Sequence, residues 1–191
     1  MPFKHVALLG LGLIASSIAL ALRSKTLDIK ITGYSRSRKT RNQAEKIDFC
    51  EVFNTVDSCV KGADLIVLCV PVGAMKATMK AAAPYLEKGA VVTDVGSVKS
   101  SVIRAISPII PEGIFFVPAH PIAGTENSGP RAGFAELFNG RWCILTPTSE
   151  TPVGVINKVR DFWKLLGADV QEMDANHHDL VLSVTSHAPH L

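Results

Sequence analysis

Apolar residues recur along this chain in short unbroken runs, separated by clusters of glycine, proline and polar side chains. Residues 6–9 (VALL), closed by Gly10, read as a strand buried on both faces. Residues 14–23 are rich in Ala, Leu and Ile and predict a helix. Strand-like runs return at 30–33, 65–70, 90–94, 115–118, 142–146 and 169–172. Helical stretches fall between them at 39–46, 74–86, 100–110 and 152–166. The last opens with Thr151-Pro152, a cap followed by proline in the first turn, and stops at Gly167. Asp174 then caps a segment that runs on with no stop signal and an apolar face still open. Apolar strands alternating with helices predict an α/β fold with a doubly wound, mostly parallel sheet covered on both faces. The expected division is one domain over 1–173, with 174–191 starting a linking helix to a second domain.

The stretch 6–22 also has the look of a signal-peptide core or a short membrane span. Gly10, Gly12, Ser16 and Ser17 interrupt it at spacings that have another explanation. The 191 residues are 47% hydrophobic and 19% charged, which excludes general disorder. A formal net charge of +3 is too small to argue for nucleic acid or an anionic membrane as partner. Cys50, Cys59, Cys69 and Cys143 contain no CxxC, so neither a zinc site nor a disulfide framework is expected. Cys69 and Cys143 read as buried free thiols, and the reducing cytoplasm is the simplest compartment.

Gly10-Leu11-Gly12-Leu13-Ile14-Ala15 is a G-x-G-x-x-A turn between a strand and a helix. The first glycine permits the tight turn, the second lets backbone approach a pyrophosphate, and the small third residue lets helix and strand pack closely. This makes the predicted fold Rossmann-type, with Gly10, Gly12, Leu13 and Ile14 at the cofactor. An NAD-preferring site places an acid after the second strand, on the ribose 2′-hydroxyl. Here Ser35 stands there, beside Arg36 and Arg38. A hydroxyl and guanidinium groups suit a 2′-phosphate, so NADP is expected in preference to NAD. The plainer reading leaves both arginines as surface charges, or stacks Arg36 on adenine. Val70-Pro71 turns the chain at the carboxyl end of the strongest strand, where ligands bind in open α/β sheets. Ser97, after another strand, either caps the following helix or presents its hydroxyl to a ligand. His120 ends a strand between Pro118 and Pro121 and precedes a Gly124-Thr125-Glu126 loop. Such a histidine suits a general base for a substrate hydroxyl. Asp179, Ser183 and His187 fall at i, i+4 and i+8, along one helical face. No metal site is expected, since no H-E-x-x-H pattern occurs and Pro189 follows His187 closely.

Taken together, GLGLIASS at 10–17, DVGSVK at 94–99, HPIAGTENSG at 120–129 and HDLVLSVTSHAPHL at 178–191 resemble the prephenate/arogenate (cyclohexadienyl) dehydrogenase family of tyrosine biosynthesis. Ala15 and Ala188 depart from the family's commoner Gly and larger apolar residue, without removing a functional group. The resemblance implies an oxidative decarboxylation of prephenate and/or arogenate. Hydride passes from ring C4 to NADP (or NAD), and the ring carboxylate leaves as CO2. It implies His120 as acceptor of the C4 hydroxyl proton and Ser97 as its hydrogen-bonding helper beside the cofactor. It further implies Thr125 and Glu126 near the substrate or its gate, and Ser183 and His187 facing the substrate, with His187 aimed at a carboxylate. The expected partners are the small-molecule substrate and a second copy, through an all-helical C-terminal dimerisation domain outside this chain that also supplies an arginine. Two competing readings are a related β-hydroxyacid dehydrogenase or pyrroline-5-carboxylate reductase, and a non-catalytic NADP(H)-binding module.

Overall fold

The computed structural model describes residues 1–25 and 27–187, with side chains as far as 184. A first sheet holds six parallel strands: β1 (His5–Leu9), β2 (Lys30–Tyr34), β3 (Glu51–Phe53), β4 (Leu65–Leu68), β5 (Val91–Asp94) and β6 (Phe115–Val117). Their order across the sheet is β3-β2-β1-β4-β5-β6. This is the doubly wound order, with a switch point between β1 and β4 that opens a crevice at the strands' carboxyl ends.

Alternation along β1 shows why both faces are covered. Val6 and Leu8 enter one core with Ile18 and Leu22 of α1 (Leu13–Arg23) and Phe162 and Trp163 of α6 (Val153–Leu165). Ala7 and Leu9 enter the other, with Met75 and Met79 of α4 (Val72–Ala82) and Val102 and Ile106 of α5 (Lys99–Ile106). Each fully buried Leu or Ile contributes roughly 1.5–3 kcal/mol by leaving water. The apolar stretch 6–22 is thus a strand, a glycine turn and an 11-residue helix. Among the described residues, no helix is long and apolar enough to cross a membrane.

A second sheet, β7-β8-β9, stands beside the first. In it β7 (Ala119–Pro121) runs antiparallel to β8 (Trp142–Leu145), and β9 (Asp169–Glu172) runs parallel to β8. The predicted single sheet is therefore two. Pro118, between β6 and β7, breaks the ladder where the chain changes sheets. Three short elements escape the hydrophobic pattern: β3, α3 (Val56–Val60) and β7. The two strands have three residues each, too few for alternation to register. The remaining helices are α2 (Arg38–Ile47) and α7 (Ala175–His187). Asp174 caps α7 as expected, its Oδ1 accepting the amides of Asn176 (2.8 Å) and His177 (3.1 Å). Thr151 does not cap α6; Pro152 holds the cap position without a side-chain hydrogen bond. Cys50, Cys59 and Cys143 are buried free thiols, and Cys69 is only half-buried because it lies just beyond the end of β4.

Candidate active site

Two features follow the carboxyl ends of strands in the large sheet: one after β1, the other just after β6. The first is an opening at the glycine turn. β1 runs into Gly10, whose φ of +101° is left-handed. A Cβ there would stand 2.8 Å from the backbone of Cys69 and Val70, so the position requires glycine. Gly12 holds the N-cap of α1, and no side chain caps that helix. A Cβ on Gly12 would meet nothing within 4 Å, so the space over the helix start is open. Leu13 and Ile14 form the first turn, and the buried Ala15 packs the helix onto the sheet. Backbone amides and the positive end of the helix dipole at such an opening suit a pyrophosphate.

A cleft of about 480 Å³ continues from Gly10 and is lined by Ser35, Arg36, Val70, Pro71 and Ala74. Among the described residues, no carboxylate lines it. Arg38 does not line it either; it opens α2 as an exposed first residue. Ser37 is occupied as N-cap of α2, accepting the Thr40 amide at 3.2 Å. Arg41, which sequence reasoning passed over, holds the turn. Its Nη1 donates to the carbonyls of Ser35 (2.6 Å) and Arg36 (3.2 Å), and its Nε to Asn54 Oδ1 (3.2 Å). Nothing in the sequence separates Arg41 from its basic neighbours.

The second feature surrounds His120, on β7. The backbone just before it is gripped from two sides. Asp94 Oδ1 accepts the Ala119 amide (3.2 Å), and Lys99 Nζ donates to the Ala119 carbonyl (2.7 Å). Asp94 Oδ2 accepts the Gly96 amide at 2.8 Å and pairs with Lys99 Nζ. Both side chains of this pair are fully buried. Burial pushes the Lys99 ammonium down from its ordinary pKa, and Asp94 opposes that shift.

His120 Nδ1 lies 2.9 Å from Nε2 of His178, with the rings edge-on at 72°. His178 is fully buried, and its Nδ1 lies 2.8 Å from Asp179 Oδ1. Asp179 in turn accepts the first amides of α5: Lys99 N at 2.7 Å and Ser100 N at 2.9 Å. Ser100 Oγ donates to Asn176 Oδ1 at 3.0 Å, fastening α7 to α5 a second time. Burial would raise the Asp179 carboxyl. Hydrogen bonds from the Lys99 amide, the His178 ring and Ser100 outweigh it and hold Asp179 well below the usual carboxylate range. His120 is pushed down to about 4, first by burial and then by His178 and Lys99. At neutral pH it is an uncharged imidazole, the form a general base must have.

The other expected residues fall as follows. Ser97 is exposed on the β5–α5 loop, and its hydroxyl makes no hydrogen bond among the described residues. It does not cap α5, because Asp179 has taken that role. Thr125 and Glu126 are exposed on the loop after β7, where Thr125 Oγ1 accepts the Asn127 amide at 3.2 Å. Among the described residues, no hydrogen bond joins either to His120. Ser183 is exposed and donates to the Leu180 carbonyl at 2.7 Å. His187 is the last residue of α7, and its side chain lies outside the described residues. Among the described residues, no group of three or more His, Cys, Asp or Glu is gathered as for a metal ion. The helical pattern places Asp179 on a face with Ser183 and His187 and assigns His178 no role. The only available signal was an adjacent His-Asp pair in the first turns of a capped helix.

Strand order, glycine turn and cleft define the class of protein: a dinucleotide-binding α/β domain. A family model described as "Prephenate dehydrogenase, nucleotide-binding domain" matches residues 18–172, and the chain belongs to that family. A cyclohexadienyl dehydrogenase of Zymomonas mobilis is 45% identical over 190 residues, covering 99% of this chain and 64% of the relative. Prephenate dehydrogenase from A. aeolicus, solved with hydroxyphenyl propionate and NAD+, superposes with a TM-score of 0.89 at 31% identity. The match covers 98% of this chain and 65% of that one. Synechocystis arogenate dehydrogenase gives a TM-score of 0.88 at 29% identity, over 97% of this chain and 65% of that one. The chain spans 51% to 64% of the length of three curated relatives that it matches.

Proposed function

We propose that this chain carries the dinucleotide-binding and proton-accepting part of a prephenate and/or arogenate dehydrogenase. The observation that carries the reading is a neutral, backbone-gripped His120 at the strand ends of a sheet whose glycine turn fits a pyrophosphate. Gly10, Gly12, Leu13 and Ile14 hold the pyrophosphate, while Ser35 and Arg36 take the ribose end. Val70 and Pro71 line the cleft wall. With no carboxylate along that cleft to repel a 2′-phosphate, NADP is the preferred cofactor over NAD. Bound there, the dinucleotide supplies a nicotinamide that accepts hydride from ring C4, with loss of the ring carboxylate as CO2.

The residues of this chain do the rest. His120 takes the proton of the C4 hydroxyl, a role typically worth ~10²–10⁴-fold in rate. Ser97, whose hydroxyl makes no hydrogen bond among the described residues, bonds the same oxygen. Thr125, Glu126, Ser183 and His187 complete the substrate side, His187 toward a carboxylate. On this reading α7 belongs to the start of the linking helix expected over residues 174–191. The chain then acts in the cytoplasm as a homodimer, joined through a C-terminal helical domain.

The test is prephenate-dependent formation of NADPH, with calorimetry of NADP+ alongside, for the chain and for His120→Ala. The expected result is a loss of ~10²–10⁴-fold in turnover with NADP+ affinity unchanged. Lost NADP+ binding with preserved turnover would contradict the role of His120. Tight NADP+ binding with no turnover, by this chain and by one extended to its relatives' length, would favour the dinucleotide-binding module without catalysis.

A further inference from the structure

We infer that His178 and Asp179 fix which ring nitrogen of His120 is bare, making His178 a positioning residue for the proton acceptor. The argument is one of donors and acceptors. Two facing ring nitrogens need one proton between them, and His120 Nδ1 faces His178 Nε2 at 2.9 Å. The other nitrogen of His178, Nδ1, faces Asp179 Oδ1 at 2.8 Å. Asp179 is ionised, since it accepts the Lys99 and Ser100 amides and is held well below the usual carboxylate range. An ionised carboxylate only accepts, so the proton at that contact sits on His178 Nδ1. A neutral His178 then has a bare Nε2, which accepts from His120 Nδ1. That leaves His120 Nε2 bare, the one nitrogen available to a substrate hydroxyl.

The chain of assignments reverses if His178 is an imidazolium. Its Nε2–H would then donate to His120 Nδ1, and His120 would carry its proton on Nε2. In that state His120 donates a hydrogen bond and accepts no proton. A neutral His178 satisfies both contacts, its Nδ1–H donating to Asp179 and its bare Nε2 accepting from His120. The arrangement also stabilises the product of proton transfer. Once His120 takes a proton at Nε2, its Nδ1–H still points at His178, and the fixed charge of Asp179 lies behind. All protons other than the transferred one stay where they were, as in triads where a carboxylate orients a base without being protonated.

The deciding experiment needs no turnover. Nitrogen-15 NMR of the ring nitrogens, on the 191-residue chain labelled at its six histidines, reads the tautomer of His120 directly. Assignment uses His120→Gln. The expected spectrum at neutral pH shows His120 protonated at Nδ1 and bare at Nε2, and His178 likewise. His120 protonated at Nε2, or His178 protonated at both nitrogens, would overturn the inference. His178→Phe, which keeps a ring in the site, should leave His120 sampling both tautomers; an unchanged single tautomer would also overturn it. If His178→Phe fails to fold, the wild-type spectrum still decides.

The consequence for rate rests on the proposed role of His120. There, His178→Phe should lower kcat at least about tenfold, bounded by the ~10⁴-fold cost of a wrong tautomer, with the NADP+ KM unmoved. Absence of prephenate turnover, by the wild-type chain and by one extended to its relatives' length, would count against the proposed function and leave the tautomer assignment standing.

Discussion

At the scale of single residues, the cofactor cleft depends on what is not there. Ser35 occupies the place where a carboxylate would read a ribose hydroxyl, and Arg41 holds its carbonyl in place. Ser35→Asp is therefore expected to shift the ratio of kcat/KM from NADP+ toward NAD+, because a carboxylate repels the 2′-phosphate. An unchanged ratio would remove Ser35 from the reading. The glycine turn and Ser35 were legible in the sequence because their geometry is set by neighbours a few residues away. His178 was not, because its partner His120 is 58 positions distant. Adjacent helical residues point about 100° apart, so a periodic reading of α7 assigns His178 and Asp179 to different faces. The fold uses both, since α7 lies between β7 and the start of α5.

At the scale of elements, the buried Asp94–Lys99 pair joins β5, α5 and β7 at one point. Its two charges are out of water, so removing one leaves the other uncompensated. Asp94→Asn should cost about 3–5 kcal/mol in urea unfolding. Asp94→Asn with Lys99→Met should cost clearly less than the sum of the single changes. Strict additivity would show that the pair does not act as a unit. The long elements were legible from apolar periodicity, and β3, α3 and β7 were not. Of these β7 matters most. Three residues between prolines give no strand signal, yet they pair with β8 and present His120.

At the scale of the whole molecule, folding holds ionisable groups away from their ordinary titration. His120 stays neutral down to about 4, whereas an unfolded histidine takes its proton near 6.5. Between those values the unfolded chain binds the proton and the folded one does not. Stability present above pH 6.5 is thus lost as pH falls toward 4. Asp179, depressed below the usual carboxylate range, adds a loss in the same direction at lower pH. From pH 7 to 5, His120 alone should lower unfolding free energy by about 2 kcal/mol. His120→Gln should flatten that slope in urea titrations at the two pH values. An equal slope in both proteins would show that His120 is not the group responsible. The parallel sheet and its two cores were legible as a whole, because every central strand is apolar on both faces. The second sheet was not, since its register depends on where the chain turns at Pro118.

The carboxylate of Asp179 caps α5 from 80 residues further along the chain. At roughly 5–20 residues per second of synthesis, that distance takes about 4–16 s to emerge. The glycine turn, the cleft and the first sheet are all encoded before it. A growing chain can therefore hold a formed nucleotide fold while α5 still lacks its cap and His120 still lacks its partner. In the order of synthesis, the partner of His120 is encoded after both the glycine turn and the strand that presents His120.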